Sequence, residues 1–149
     1  MLNSKTQRVG KEFQELKTKN GPLAQLILDL TDYVSLEFNK DVMMTMIFRT
    51  QQEQYDLYAK TDGPKTKRKS PHMFWNAVDI RDWIYNEKEK TAIGEFLKSN
   101  YDGTNQMAAL PSGSKTYWLH QIKGQAMHFH IQYKGVLVYT FSEGEVITA

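Results

Sequence analysis

The stretch Ser70-Pro71-His72-Met73-Phe74-Trp75-Asn76-Ala77-Val78-Asp79 holds a histidine and an aspartate separated by six residues. Asp79 sits between Val78 and Ile80, in an apolar run where an unpaired carboxylate is expensive to desolvate. A metal ion would remove that penalty, and histidine with aspartate suits zinc. A further ligand must come from elsewhere, and His128-Phe129-His130 offers it. On a strand, residues i and i+2 project to the same face, so both imidazoles could reach one ion.

These residues need elements to hold them. Val9, Phe13 and Leu16 predict an amphipathic helix over 5–19, and Asn20-Gly21-Pro22 ends it and opens the next. Apolar residues at 23, 26, 27, 30, 34 and 38 follow helical spacing, so 23–38 reads as a scaffold helix with one buried face. Residues 42–48 read as a buried strand whose methionines pack a core. Arg49 follows, and Thr50-Gln51-Gln52-Glu53 has the form of a capped start to a short helix reaching 59. An arginine at the end of a buried strand is a candidate anion clamp. The basic residues Lys65, Lys67, Arg68 and Lys69 fall in a loop over 61–69 and read as a solvated connection.

A short strand over 77–80 carries Asp79, and 87–99 reads as a helix with Ile93, Phe96 and Leu97 facing inward. Residues 101–114 read as a long surface loop. Beyond it, 116–122, 126–133 and 136–141 read as strands, separated by turns at Lys123-Gly124 and Lys134-Gly135. A two-residue second turn would put Phe129, Ile131, Tyr133, Val136 and Val138 on one face and His128, His130, Gln132 and Tyr139 on the other. A three-residue loop over 123–125 would set His120 beside His128. The predicted class is α+β, a small antiparallel sheet backed by helices.

At 149 residues the chain fits a single domain over 1–149 with its own core. The absence of cysteine excludes disulfides, thiolate zinc sites and a cysteine nucleophile, so any metal must be held by His, Asp and Glu. A net charge of +2 gives no argument for nucleic acid as a partner. No apolar run has the length of a membrane span, and the first residues lack a signal-peptide stretch. The expectation is a monomer made in the cytoplasm, without stable membrane association.

With all three pieces placed, the sequence resembles the zinc peptidases that include D-alanyl-D-alanine carboxypeptidases and phage L-alanyl-D-glutamate endopeptidases. That group is related in fold to lysostaphin-type peptidases and the hedgehog signalling domain. Its motif Ser-x-His-x-x-Gly-x-Ala-x-Asp is matched by Ser70, His72, Ala77 and Asp79. Its strand ending in Tyr-Arg before a Gln-rich helix is matched by Phe48-Arg49-Thr50-Gln51-Gln52, and its His-x-His by His128-Phe129-His130. Two features depart. Trp75 stands where the family usually has Gly, and Gln125 and Met127 stand where many carboxypeptidase-like members place an acidic base three residues before a zinc histidine.

The resemblance implies a hedgehog/D-Ala-D-Ala peptidase-like fold and Zn2+ held by His72, Asp79 and His130, with a fourth position open. His128 would be the general base, with His120 able to orient or replace it. Arg49 would hold a substrate carboxylate or the developing oxyanion, and Ser70 would bond substrate or shape the turn. The implied activity is hydrolysis of a peptide bond in peptidoglycan stem peptides, by endopeptidase or carboxypeptidase action. The compact chain looks like a bacteriophage endolysin that reaches the cell wall after holin-type release. The alternative from another class is a zinc-binding virion structural or adhesion module of the same fold, without catalysis.

Overall fold

Strand β1 (Leu2–Ser4) opens the chain, and the Thr6 side chain then accepts from the Val9 amide to cap α1 (Gln7–Lys19). The computed structural model describes residues 1–101, 118–120, 128–133, 138–140 and 146–148. Asn20 closes α1 and caps α2 (Gly21–Phe38), accepting from Leu23 N at 3.2 Å. Its amide nitrogen also donates to the Trp75 carbonyl at 2.9 Å, tying the helix junction to the stretch before Asp79. Phe13 and Leu16 of α1 join Leu23, Leu26, Ile27, Leu30 and Val34 of α2 in the core. Burying each such side chain stabilises the fold by roughly 1.5–3 kcal/mol.

Asn39 ends α2 in the left-handed conformation and leads into β2 (Val42–Met46). The capping box foreseen at Thr50 and Glu53 is formed and starts α3 (Gln51–Asp62). A single 3-10 turn, Pro71–Phe74, precedes β3 (Ala77–Arg81), and α4 (Glu87–Tyr101) follows. Helix α4 docks on α2 through Tyr33 stacked on Phe96 at 4.3 Å and through Tyr101 Oη donating to Asp29 at 2.6 Å. No helix among the described residues is long and apolar enough to cross a membrane.

Strands β4 (Trp118–His120) and β5 (His128–Gln132) complete a five-stranded sheet of order β1-β2-β3-β5-β4. The central strand, β3, is antiparallel to β2 and to β5. The α+β class holds, but the sheet is mixed rather than wholly antiparallel, because β1 runs parallel to β2 with Leu2 opposite Val42. Three residues at the chain start carry too little alternation to signal a strand. Their pairing depends on Val42 N donating to Met1 O and Lys5 N to Met44 O, contacts made about forty residues apart.

The C-terminal pairing also differs from expectation. Strand β6 (Val138–Thr140) pairs with β7 (Val146–Thr148) in a separate two-stranded sheet, where a hairpin with β5 was expected. The turn expected at Lys134-Gly135 lies outside the described residues, and of the loop expected over 101–114, Tyr101 instead ends α4 while 102–114 lie outside them. Strand β4 sets His120 opposite His128, the register that a short loop over 123–125 would require; residues 121–127 likewise lie outside the described set.

Alternation on β3 and β5 divides the sheet. Val78, Ile80, Phe129 and Ile131 join the helix-backed core. Asp79, Arg81, His128 and His130 occupy the intervening positions and so the other face.

Candidate metal centre

Each nominated residue is delivered by a different local device. Asp79 is the middle residue of the central strand, paired with His130 of β5 on one side and Met46 of β2 on the other. His72 lies in the 3-10 turn, whose first amides are held by Ser70 Oγ accepting from His72 N at 3.3 Å. Ser70 therefore shapes the turn. The turn closes on Trp75, which takes φ 57 and ψ 31, a left-handed conformation costing a non-glycine residue roughly 1–2 kcal/mol. Trp75 is kept there by stacking on Phe48, with ring centroids 4.6 Å apart and nearly parallel, and by the Asn20 amide on its carbonyl.

These devices bring His72, Asp79 and His130 together, all buried, with one ligand atom from each within 4.8 Å of the others. His72 Nε2 lies 3.2 Å from Asp79 Oδ1, and His130 Nδ1 lies 2.9 Å from the same oxygen. His128 Nε2 approaches the second carboxylate oxygen at 3.4 Å. His72 Nε2, His130 Nδ1 and Asp79 Oδ1 thus converge on one small volume, with His128 Nε2 against the other carboxylate oxygen. In a tetrahedral zinc site, ligand atoms about 2.1 Å from the ion stand about 3.4 Å apart.

The remaining ring nitrogens fix the tautomers. His72 Nδ1 lies 2.9 Å from the Ile47 carbonyl oxygen, which can only accept, so Nδ1 carries the proton. His130 Nε2 lies 2.7 Å from Gln132 Oε1, so it too is the protonated nitrogen. In the neutral rings, His72 Nε2 and His130 Nδ1 therefore present lone pairs to a carboxylate oxygen. Acceptors facing acceptors repel. A cation between them, or a proton on each ring, turns the same geometry into attraction, and back-bonding of each imidazole to an outer oxygen is the usual support for metal-ligating histidines. The cluster could hold a metal ion.

Electrostatics agree with a carboxylate that stays ionised. Burial, the largest single influence on Asp79, raises its pKa, but the charge of His72 and the hydrogen bonds of His130 and His72 outweigh it. The net result lies well below the usual carboxylate range.

Arg49 stands beside this cluster and is itself buried. Its guanidinium donates from Nη1 to Gln54 Oε1 at 3.0 Å and from Nη2 to Met46 Sδ at 3.1 Å, both neutral acceptors. No ion pair joins it to a carboxylate among the described residues. Burial lowers its pKa, with the Asp79 charge the main opposing influence, and arginine remains protonated regardless. Gln54, only 1% exposed, is a residue that sequence reasoning missed: it aims Arg49 and donates to the Arg68 carbonyl at 3.2 Å. A buried glutamine within a mostly polar helix leaves no periodic signal. His120 is placed by its backbone opposite His128, and Tyr139 lies on β6, which pairs in the separate two-stranded sheet.

No family model, no curated protein and no solved structure matches the chain.

Proposed function

We propose that the chain is a zinc peptidase acting on the stem peptides of bacterial peptidoglycan, with a hedgehog/D-Ala-D-Ala peptidase-like fold and an endolysin's role in lysis. The observation that carries this reading is the convergence of His72 Nε2, His130 Nδ1 and Asp79 Oδ1 with both outer ring nitrogens already bonded to oxygens. Two nitrogens and one carboxylate oxygen suit zinc and leave a coordination position for chemistry. Trp75 adds support. The family's glycine position has a positive φ in this chain, the conformation that glycine adopts without penalty.

In this reading His72, Asp79 and His130 hold the ion. Bound zinc would supply Lewis acidity toward the scissile carbonyl and make water a stronger acid. His128 takes the proton of the attacking water at Nε2, the nitrogen turned toward Asp79, and returns it to the leaving amine. Arg49, pre-aimed by Gln54 and lacking an acidic partner among the described residues, binds a substrate carboxylate or the developing oxyanion. The partner is thus a peptidoglycan stem peptide.

Mass spectrometry of fragments released from purified peptidoglycan tests the proposal. Zinc-loaded wild-type chain is expected to release stem-peptide fragments, and Asp79→Ala to release none. Zinc-loaded, folded protein that releases nothing from any cell-wall type would overturn it and leave the non-catalytic zinc module.

A further inference from the structure

Strand β3 continues past Asp79 to Arg81, and the parity of a strand returns Arg81 to the face that carries Asp79. The register sets Arg81 directly opposite His128, as Asp79 is opposite His130. Two residues along a strand are about 6.7 Å, so Arg81 is one step from the proposed metal centre. Its guanidinium lies over the Trp83 ring, 5.1 Å from the centroid, and Trp83 is 65% exposed.

The turn that presents this pair is fixed. Tyr85 N donates to Asp82 O at 2.9 Å, Lys40 Nζ to Ile84 O at 3.0 Å, and Tyr85 Oη to Asp41 O at 2.6 Å. The neighbouring carboxylate, Asp82, is directed to Lys90 Nζ at 3.5 Å. Among the described residues Arg81 has no acidic partner. A half-buried arginine at a strand end, held over an exposed indole, is a prepared donor fork.

Its place relative to Arg49 gives the fork a purpose. Strands β2 and β3 are antiparallel with Met46 opposite Asp79, so the chain beyond β2 runs toward the N-terminal end of β3. Arg49 therefore lies toward one end of β3 and Arg81 at the other, with Asp79 between. We propose that Arg81, stacked on Trp83, is a second carboxylate-binding element of the same site, so that the substrate carries an acidic group on each side of the bond cleaved. This inference rests on the peptidase reading and narrows its substrate class to dianionic peptides.

Binding separates the two claims. The probes are a synthetic stem tetrapeptide whose D-glutamyl residue bears a free α-carboxylate and its twin amidated at that carboxylate. They are titrated calorimetrically into zinc-loaded protein carrying His128→Gln, which suppresses turnover. The acid peptide is expected to bind on the order of ten- to a hundredfold more tightly than the amide. Adding Arg81→Gln should abolish that preference while leaving affinity for the amide, zinc content and Tm unchanged. Arg81→Lys should restore only part of it. Equal binding of the two peptides to the His128→Gln protein, or a preference that survives Arg81→Gln, overturns the second anchor. If wild-type protein meanwhile releases fragments from peptidoglycan, the peptidase reading stands without it. Failure of both peptides to bind, with no fragment release, overturns both.

Discussion

Two clusters of charged side chains flank the end of β2, and their hydrogen-bond arithmetic is opposite. In the first, Arg8 donates to Glu12 at 2.8 Å, to both oxygens of Glu53 at 2.7 Å, and to the Phe48 carbonyl at 2.9 Å. Glu12 in turn accepts from Phe48 N at 3.2 Å, and Glu53 from Thr50 N at 2.9 Å. Donor meets acceptor throughout, at a half-exposed position joining α1, the end of β2 and α3. In the second, His72 and His130, when neutral and bonded outward to Ile47 O and Gln132 Oε1, turn lone pairs toward Asp79 in the buried interior. The first cluster is complete as built and holds the chain leading into Arg49. The second becomes favourable with a cation at its centre, or with its imidazoles protonated so that they donate to Asp79.

The largest expected effects come from removing the acceptors of the second cluster. His130→Ala and Asp79→Ala should lose both metal and activity, since two remaining protein ligands hold zinc weakly. His128→Ala should keep its metal and lose activity by about 10²–10⁴-fold, the usual contribution of general acid–base catalysis. Metal analysis alongside peptidoglycan digestion checks both. Metal retained in His130→Ala but lost from His128→Ala would exchange their roles.

Arg49 should be more modest. Arg49→Lys keeps the charge but loses the fork that meets Gln54, and activity is expected to fall by about ten- to a hundredfold with metal content unchanged. Full activity in a folded Arg49→Lys protein would remove Arg49 from the chemistry. Alanine is the poorer probe, because it leaves Gln54 Oε1 buried without its donor, at about 1–3 kcal/mol.

The smallest effect belongs to the first cluster and appears in stability alone. Hydrogen bonds from Arg8 are the largest cause lowering the Glu53 pKa to about 2. A carboxyl depressed on folding stabilises above its unfolded pKa and loses that contribution as pH falls through the folded one. The Tm difference between wild type and Glu53→Gln should therefore be widest above about pH 4.5 and close toward pH 2. A constant difference across that range would mean the pair contributes by packing rather than charge.

Much of the fold was legible because its strongest signals are local. The apolar spacing of 23–38 gave α2, and Thr50 with Glu53 gave the start of α3. The histidines and Asp79 were legible because a buried carboxylate next to β-branched residues demands a partner. What escaped depends on distant backbone. Strand β1 owes its pairing to β2, and the partner of β6 is the three-residue β7 rather than the strand before it. The Ile47 carbonyl that sets the His72 tautomer has no side-chain signature. Trp75 is similar: nothing in a tryptophan announces a positive φ, and only the glycine expected there by resemblance marked the position.

The most direct test is the metal content of the purified chain after dialysis against zinc, compared with a His72→Ala/His130→Ala double variant. Wild type should retain about one zinc per chain and the double variant almost none, with zinc raising Tm only in wild type. A folded wild-type chain that retains no stoichiometric metal, or a double variant that retains as much, would contradict the cation-centred reading of Asp79.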